Sequence, residues 1–245
     1  PRSTLFPYTT LFRSRDMRYS ISPETTVLNE GFEGDSVNLP AGWSLTSGYW
    51  KITSGTGYDR YSQSAATGNY NAGCFARQRD YSDTLVTPAM NLGDAVSATL
   101  SFNFWNTIWS GDVNTLNVKY RVDGGEWQQL YTTDQPTDGW TAVTINLEGM
   151  AANYQIGFEC VGNYSYGMGI DDVVVTKTID VTWNETGIDV TSPYTLTGLT
   201  PGTTYQWQVQ GINSECGENG LTDWSETGSF TTLSGIDFTV TGYGT

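Results

Sequence analysis

The feature that most limits what this chain can fold into is a period of two. Leu100, Phe102 and Phe104 alternate with Thr99, Ser101 and Asn103, and Leu116, Val118, Tyr120 and Val122 alternate with Asn117, Lys119 and Arg121. Val143, Ile145 and Leu147 form a third row, and Tyr154, Ile156 and Phe158 a fourth. Successive side chains of a strand point to opposite faces, so each row predicts a strand with one buried and one wet face. Asp123-Gly124-Gly125 supplies a tight turn into Glu126-Trp127-Gln128-Gln129-Leu130. No segment reads convincingly as helix. Strands of this length, separated by Gly, Asn and Asp turns, predict an all-β, two-sheet sandwich.

Composition then narrows the chemistry. The 245 residues allow one large domain and a smaller one. A net charge of -15 with only 11 Lys and Arg argues against nucleic-acid binding, which needs clustered cations. The sequence has no histidine, which removes Ser-His-Asp and Cys-His catalysis and His-ligated zinc. It carries no GxSxG, phosphate-loop or dinucleotide motif, and its apolar runs are too short to span a bilayer. Cys74, Cys160 and Cys216 have no metal-ligand spacing. Cys160 continues the inward row of Tyr154, Ile156 and Phe158 and reads as a buried thiol; a Cys74–Cys160 bridge is the alternative.

Residues 4–14, Thr-Leu-Phe-Pro-Tyr-Thr-Thr-Leu-Phe-Arg-Ser, resemble one reading frame of a widely used short-read sequencing adaptor at all eleven positions. Residues 1–16 are therefore set apart from the fold. The chain is expected to be a fragment whose targeting signal lies upstream.

An ordered set of motifs carries a family resemblance. Glu30-Gly31-Phe32-Glu33, Leu39-Pro40-Ala41-Gly42-Trp43, Tyr49-Trp50, Asp83-Thr84-Leu85-Val86-Thr87-Pro88, Leu100-Ser101-Phe102, Trp140 and Ile170-Asp171-Asp172-Val173 follow one another over roughly residues 28–176. Together they resemble the cleaved-adhesin or choice-of-anchor J modules, relatives of the MAM domain common in Bacteroidetes surface proteins. A second stretch, Tyr194-Thr195-Leu196-Thr197-Gly198-Leu199-Thr200-Pro201-Gly202-Thr203-Thr204-Tyr205, is similar to the E-to-F region of a fibronectin type III module, with Ser229-Phe230-Thr231-Thr232 as its closing strand. The resemblances imply a jelly-roll β-sandwich, then a partial fibronectin type III-like β-sandwich over 179–233, then the start of a further segment at 234–245. The partial module lacks its early strands, with Ile179-Asp180-Val181-Thr182-Trp183 as the only candidate, which would leave an apolar face uncovered.

Two sets of residues are candidates for function. The first is acidic: oxygen-only ligands at the ends of the first and last strands suit a hard cation such as calcium. The resemblance implies that Glu33 and Asp171 share a structural calcium ion, with Asp172 and Asp35 as adjacent candidates. Alternation puts Asp171 and Asp172 on opposite faces, so one of them, not both, is the expected partner of Glu33. The competing reading is that Glu33 and Asp171 simply accept backbone hydrogen bonds. The second set is aromatic. Tyr58, Tyr61 and Tyr70 lie in one long loop, Trp109 and Asp112 in another, and Tyr164 just before the last strand. Rings supply area and polar neighbours fix orientation, as in a small-ligand site; the competing reading makes Trp50 and Trp105 core residues and the loop tyrosines ordinary exposed side chains. The expected function is a non-catalytic, calcium-stabilised adhesion module, secreted or on the cell surface, whose partner is a host or matrix protein or a glycan. The alternatives are a carbohydrate-binding accessory of a degradative enzyme and a structural stalk.

Overall fold

The computed structural model describes residues 14–34, 38–55, 63–76, 78–186, 194–211, 221–234 and 240–242, and among these there are strands and turns but no helix. Two compact units emerge. Strand β1 (Ser14–Ile21) groups with everything from Val181 onward, and Glu24–Asp180 forms the larger unit.

The larger unit is a jelly-roll sandwich. Its strands are β2 (Glu24–Glu30), β3 (Ser44–Leu45), β4 (Trp50–Thr53), β5 (Asn71–Cys74), β6 (Ser82–Val86), β7 (Ala95–Asn106), β8 (Ile108–Trp109), β9 (Asp112–Val113), β10 (Thr115–Val122), β11 (Gln128–Thr133), β12 (Thr141–Asn146), β13 (Tyr154–Val161) and β14 (Met168–Ile179). One sheet has the order β11-β10-β13-β6-β3; the other has β12-β7-β14-β5-β4, with β2 also on β14, and all pairs are antiparallel. The inward rows read from the sequence meet across the gap. Leu100, Phe102 and Phe104 of β7 pack toward Leu116, Val118, Ile156 and Phe158, and Phe102 meets Phe158 edge-on at 5.2 Å. Burying each of these side chains contributes about 2–3 kcal/mol. The predicted turn after Val122 forms: Asp123 and Gly124 both take positive φ (53° and 71°), as a two-residue hairpin turn requires.

β14 positions the acidic residues. Along one edge it pairs first with β5, at Met168–Ile170, and then with β2, at Val173–Thr178. Its ladder with β7 shifts register between Asp171 and Val174, and Asp172 takes a φ of 50°. Asp171 and Asp172 thus occupy the gap where the strand changes partners. Trp50, at 1% exposure, and Trp105 are buried, in line with their reading as core residues.

The smaller unit has a four-stranded antiparallel sheet, β15-β1-β17-β18, made of β15 (Asn184–Glu185), β1, β17 (Thr204–Gly211) and β18 (Gly228–Thr231). A separate pair joins β16 (Tyr194–Leu196) to β19 (Val240–Gly242). Leu196, Leu199 and Tyr205 form its buried cluster, with Met17, Tyr19 and Phe230 packed against them. The Tyr205 hydroxyl accepts the Thr200 N–H at 2.9 Å, the contact of a tyrosine corner. The Arg18 guanidinium lies between Trp183 and Trp224, 4.6 and 4.3 Å from their ring centroids. Ile179 ends β14, so the strand expected at Ile179–Trp183 does not form there; the strand that flanks β17 is β1, which starts at Ser14, inside the segment set apart, and pairs Ile21 with Tyr205 and Tyr19 with Trp207.

Candidate functional site

The two acidic strings do come together. β2 ends at Glu30, Phe32 turns at a φ of 59° into the core against Trp43, and Gly31 lies where a β-carbon would sit 3.7 Å from Asp172 Oδ1. All three carboxylates then clasp one stretch of chain. Glu33 accepts the N–H groups of Asn69 and Tyr70, each at 2.8 Å. Asp171 Oδ2 accepts those of Ala66 and Thr67 at 2.9 and 3.3 Å, while its Oδ1 accepts the Asp172 N–H at 2.8 Å. Asp172 accepts the Thr67 hydroxyl at 2.6 Å and the Asn103 amide at 2.8 Å. Gly68, at a φ of 60°, leaves no room for a side chain against the Glu33 carboxyl. The expectation that alternation would separate Asp171 from Asp172 is corrected: the register shift turns both onto Thr67.

Their electrostatics differ. The Tyr70 N–H holds the exposed Glu33 carboxyl below its ordinary pKa. Burial pushes Asp171 up to about 6, aided by the charge of Asp172 and opposed by the N–H groups it accepts. Among the described residues no three Asp, Glu, Cys or His side chains stand close enough to share a metal ion. The donor set is nonetheless all hard oxygen. Asn71 is fully buried, and neither polar atom of its side chain has a hydrogen-bond partner. Ala72 and Cys74 of β5 and Ile170 of β14 face the core, so alternation puts Asn71 and Asp171 on the same outer face of adjoining strands. An unpartnered amide oxygen beside a buried carboxylate fits a hard cation in kind. Asp35 lies outside the described residues.

The second constellation is an aromatic end face. β8 and β9 form a short hairpin through Ser110 and Gly111, both at positive φ, which presents Trp109 at 45% exposure. Trp109 meets Tyr166 edge-on at 6.2 Å. The Arg79 guanidinium lies 5.3 Å over the ring of exposed Tyr164, donates from Nε to Asn163 Oδ1 at 3.0 Å, and approaches Asp112 Oδ1 at 3.6 Å. Tyr81, also exposed, joins the same face, because the 79–81 turn and Gly162 exchange backbone hydrogen bonds at 3.0 and 2.7 Å. Of the exposed large apolar side chains described in this unit, all but Val96 lie here: Tyr81, Ile108, Trp109 and Tyr164.

A buried polar frame fixes these loops. Asn114 accepts the Asn163 N–H at 2.7 Å and donates to Ala76 O at 3.1 Å, and Ser165 donates to Thr107 O at 2.6 Å. Such hydrogen bonds out of water hold a surface loop in one conformation.

The structure thus brings Trp109, Asp112 and Tyr164 together. Tyr70 belongs elsewhere: it is half-buried against the core and its N–H serves Glu33. Tyr58 and Tyr61 lie outside the described residues. Sequence reasoning missed Arg79, Tyr81, Ile108 and Asn163. The available signal was Arg79-Asp80-Tyr81, a cation beside an aromatic in a stretch without strand alternation.

In structure the chain is similar to the K3 cleaved adhesin domain of Lys-gingipain from Porphyromonas gingivalis w83, at 20% identity over 62% of this chain and 98% of that one, with a TM-score of 0.46. It is also similar to the CBM22-1 xylan-binding domain of Paenibacillus barcinonensis Xyn10C, at 13% identity over 65% and 98% of the two chains, with a TM-score of 0.47. No curated protein matches the chain. Residues 31–179 match the model of the family described as MAM domain, meprin/A5/mu. That match runs from the glycine after β2 to the last residue of β14, more than half of the sequence, and the chain belongs to the MAM domain family.

Proposed function

We propose that the chain is a non-catalytic, extracellular adhesion module that meets its target through the end face of the jelly roll. The observation that carries this is the gathering of Tyr81, Ile108, Trp109 and Tyr164 in solvent on loops held by buried hydrogen bonds. Apolar area presented in one conformation binds without a large ordering cost. Asp112, the carboxylate of this face, is turned toward Arg79, which suits orientation better than proton transfer.

A second reading, a carbohydrate-binding accessory domain, is favoured by the groups beside the rings. Sugar rings offer apolar C–H faces for stacking and hydroxyls for planar polar groups such as Arg79, Asn163 and Asp112. A glycan array and a panel of immobilised matrix proteins, probed with the wild-type chain and with Trp109→Ala, separate the readings. Binding to matrix protein alone favours adhesion, and binding to glycan favours the accessory role. No binding to either leaves a structural stalk.

Calcium belongs to the same reading as a stabiliser. Glu33 and Asp171, with the amide oxygen of Asn71, would hold it, and Asp172 and Asp35 are the further candidate ligands. When bound, the ion would neutralise the buried charge of β14. The chain's own residues pin the 66–70 segment to the partner-changing gap of that strand. Calorimetric titration of the chelated protein tests it: absence of binding, with an unchanged Tm, rules the ion out.

A further inference from the structure

We propose that the jelly roll is a guest carried between two neighbouring strands of the smaller unit, and that the smaller unit bears tension on the chain in its place. The smaller unit draws its strands from both sides of Glu24–Asp180. β1 precedes that stretch and β15 follows it, and the two are antiparallel neighbours, with Tyr19 opposite Asn184. The guest's own ends meet as well: Glu24, the first residue of β2, is opposite Thr178, next to the last residue of β14. A domain whose two ends adjoin can be inserted into a host turn without straining either. β1 is no loose tail. It is hydrogen-bonded along both edges, to β15 and to β17, and Tyr19 packs against the buried cluster of Leu196, Leu199 and Tyr205.

The directions of the strands decide which unit bears a load. Ser14, the start of β1, is opposite Gly211 at the end of β17, and Thr231, the end of β18, is opposite Thr204 at its start. A pull on the two ends of the chain enters β1 at Ser14 and, once the short β16–β19 pair has parted, β18 at Thr231. These are opposite ends of one sheet, so the pull acts along the strands and the hydrogen bonds of the ladder resist together. The guest taken alone would be pulled at Glu24 and Thr178, a facing pair at the end of the β2–β14 ladder. There the pull acts across the strands and opens one pair after another, toward Glu30 and the Glu33 clasp. While β1 stays in its sheet, the host holds both ends of the guest, so no pull on the chain and none through a bound target separates Glu24 from Thr178. That the chain is pulled in its working life rests on the adhesion reading above.

The test pulls the full chain in an optical trap by handles fused to its two ends. The smaller unit should open first, adding roughly 20 nm of chain, and the guest only afterwards, adding roughly 55 nm for residues 24–180. Tyr19→Asp sets a charge against the small buried cluster. It should lower the force of the first event about twofold or abolish that event, and leave the second where it was. A 55 nm step that comes ahead of the 20 nm step, or alone in the wild type, overturns the proposal. So does a first event whose force Tyr19→Asp leaves unchanged. The order of events is read without a target, so it is independent of the arrays: binding to neither glycan nor matrix protein removes the adhesion reading and not the guest arrangement.

Discussion

At the clasp, Glu33, Asp171 and Asp172 turn toward the chain's own 66–70 backbone; at the end face, Trp109, Tyr164 and Tyr81 turn away from it. β14 and the loop before it serve both regions, with Tyr164 and Asp171 only a few residues apart. The polar groups are used differently. The clasp satisfies backbone N–H groups with carboxylates and so closes the sandwich. The end face satisfies its loops from beneath, through Asn114, Thr107 and Ser165, and leaves its rings to solvent. Inward carboxylates should therefore govern stability, and outward rings should govern contact.

The largest effect tests the first half of that contrast. Asp83 is a fourth inward carboxylate, fully buried, accepting the Thr46 hydroxyl and the N–H groups of Ser47, Tyr49 and Trp50 at 2.7–3.0 Å. Asp83→Ala leaves those donors unmatched and should cost about 4 kcal/mol, read by urea unfolding. A cost below about 1 kcal/mol would break the link between inward carboxylates and stability.

Trp109→Ala should do the reverse. Loss of a half-exposed ring at the centre of a binding face should lower affinity for the target found on the arrays about thirtyfold, or about 2 kcal/mol. Its Tm should stay within about 2 °C of wild type, since little buried area is lost. A large fall in Tm with affinity intact would move Trp109 into the frame.

Asp171→Asn sharpens the clasp itself. In chelator the substitution should change stability by under about 1 kcal/mol, because relief of a buried charge offsets the N–H left facing an amide. In calcium the wild type should be clearly the more stable, so the two curves part only when the ion is present. The pH dependence has a definite sign. The folded pKa of about 6 lies above the ordinary value of 3.8, so this group's stabilisation is full below about pH 4 and is lost as pH rises through about 6. A chelated wild type that gains stability over that rise, measured against Asp171→Asn, would contradict the assignment.

What could be read from the sequence follows the same division. The inward rows of β7, β10 and β13 and the turn at Asp123 are local patterns, and burial fixed their meaning. The meeting of Gly31-Phe32-Glu33 with Asp171-Asp172 was legible through an ordered set of motifs. The joint engagement of both aspartates was not, because it depends on β14 exchanging β5 for β2, a fact of pairing and not of period. β1 was missed for a related reason: its partner β17 lies about 185 residues away, beyond any local signal. Arg79 was hidden because its place over Tyr164 is set by turns that meet only in the folded unit.

The smallest effect asks whether the polar part of the end face contributes to contact. Arg79 places one planar fork over Tyr164, on Asn163 and toward Asp112, a combination that a lysine ammonium cannot reproduce. Its side chain is 56% exposed, so the ion pair with Asp112 should add little to stability, and Arg79→Lys should leave Tm unchanged. Affinity should fall about threefold through loss of orientation, with most of the ring contact retained. Unchanged affinity would confine the site to its aromatic rings. A loss as large as that of Trp109→Ala, growing weaker with salt, would mean instead that the target brings an anionic group to Arg79, so that charge and not stacking sets what this face selects.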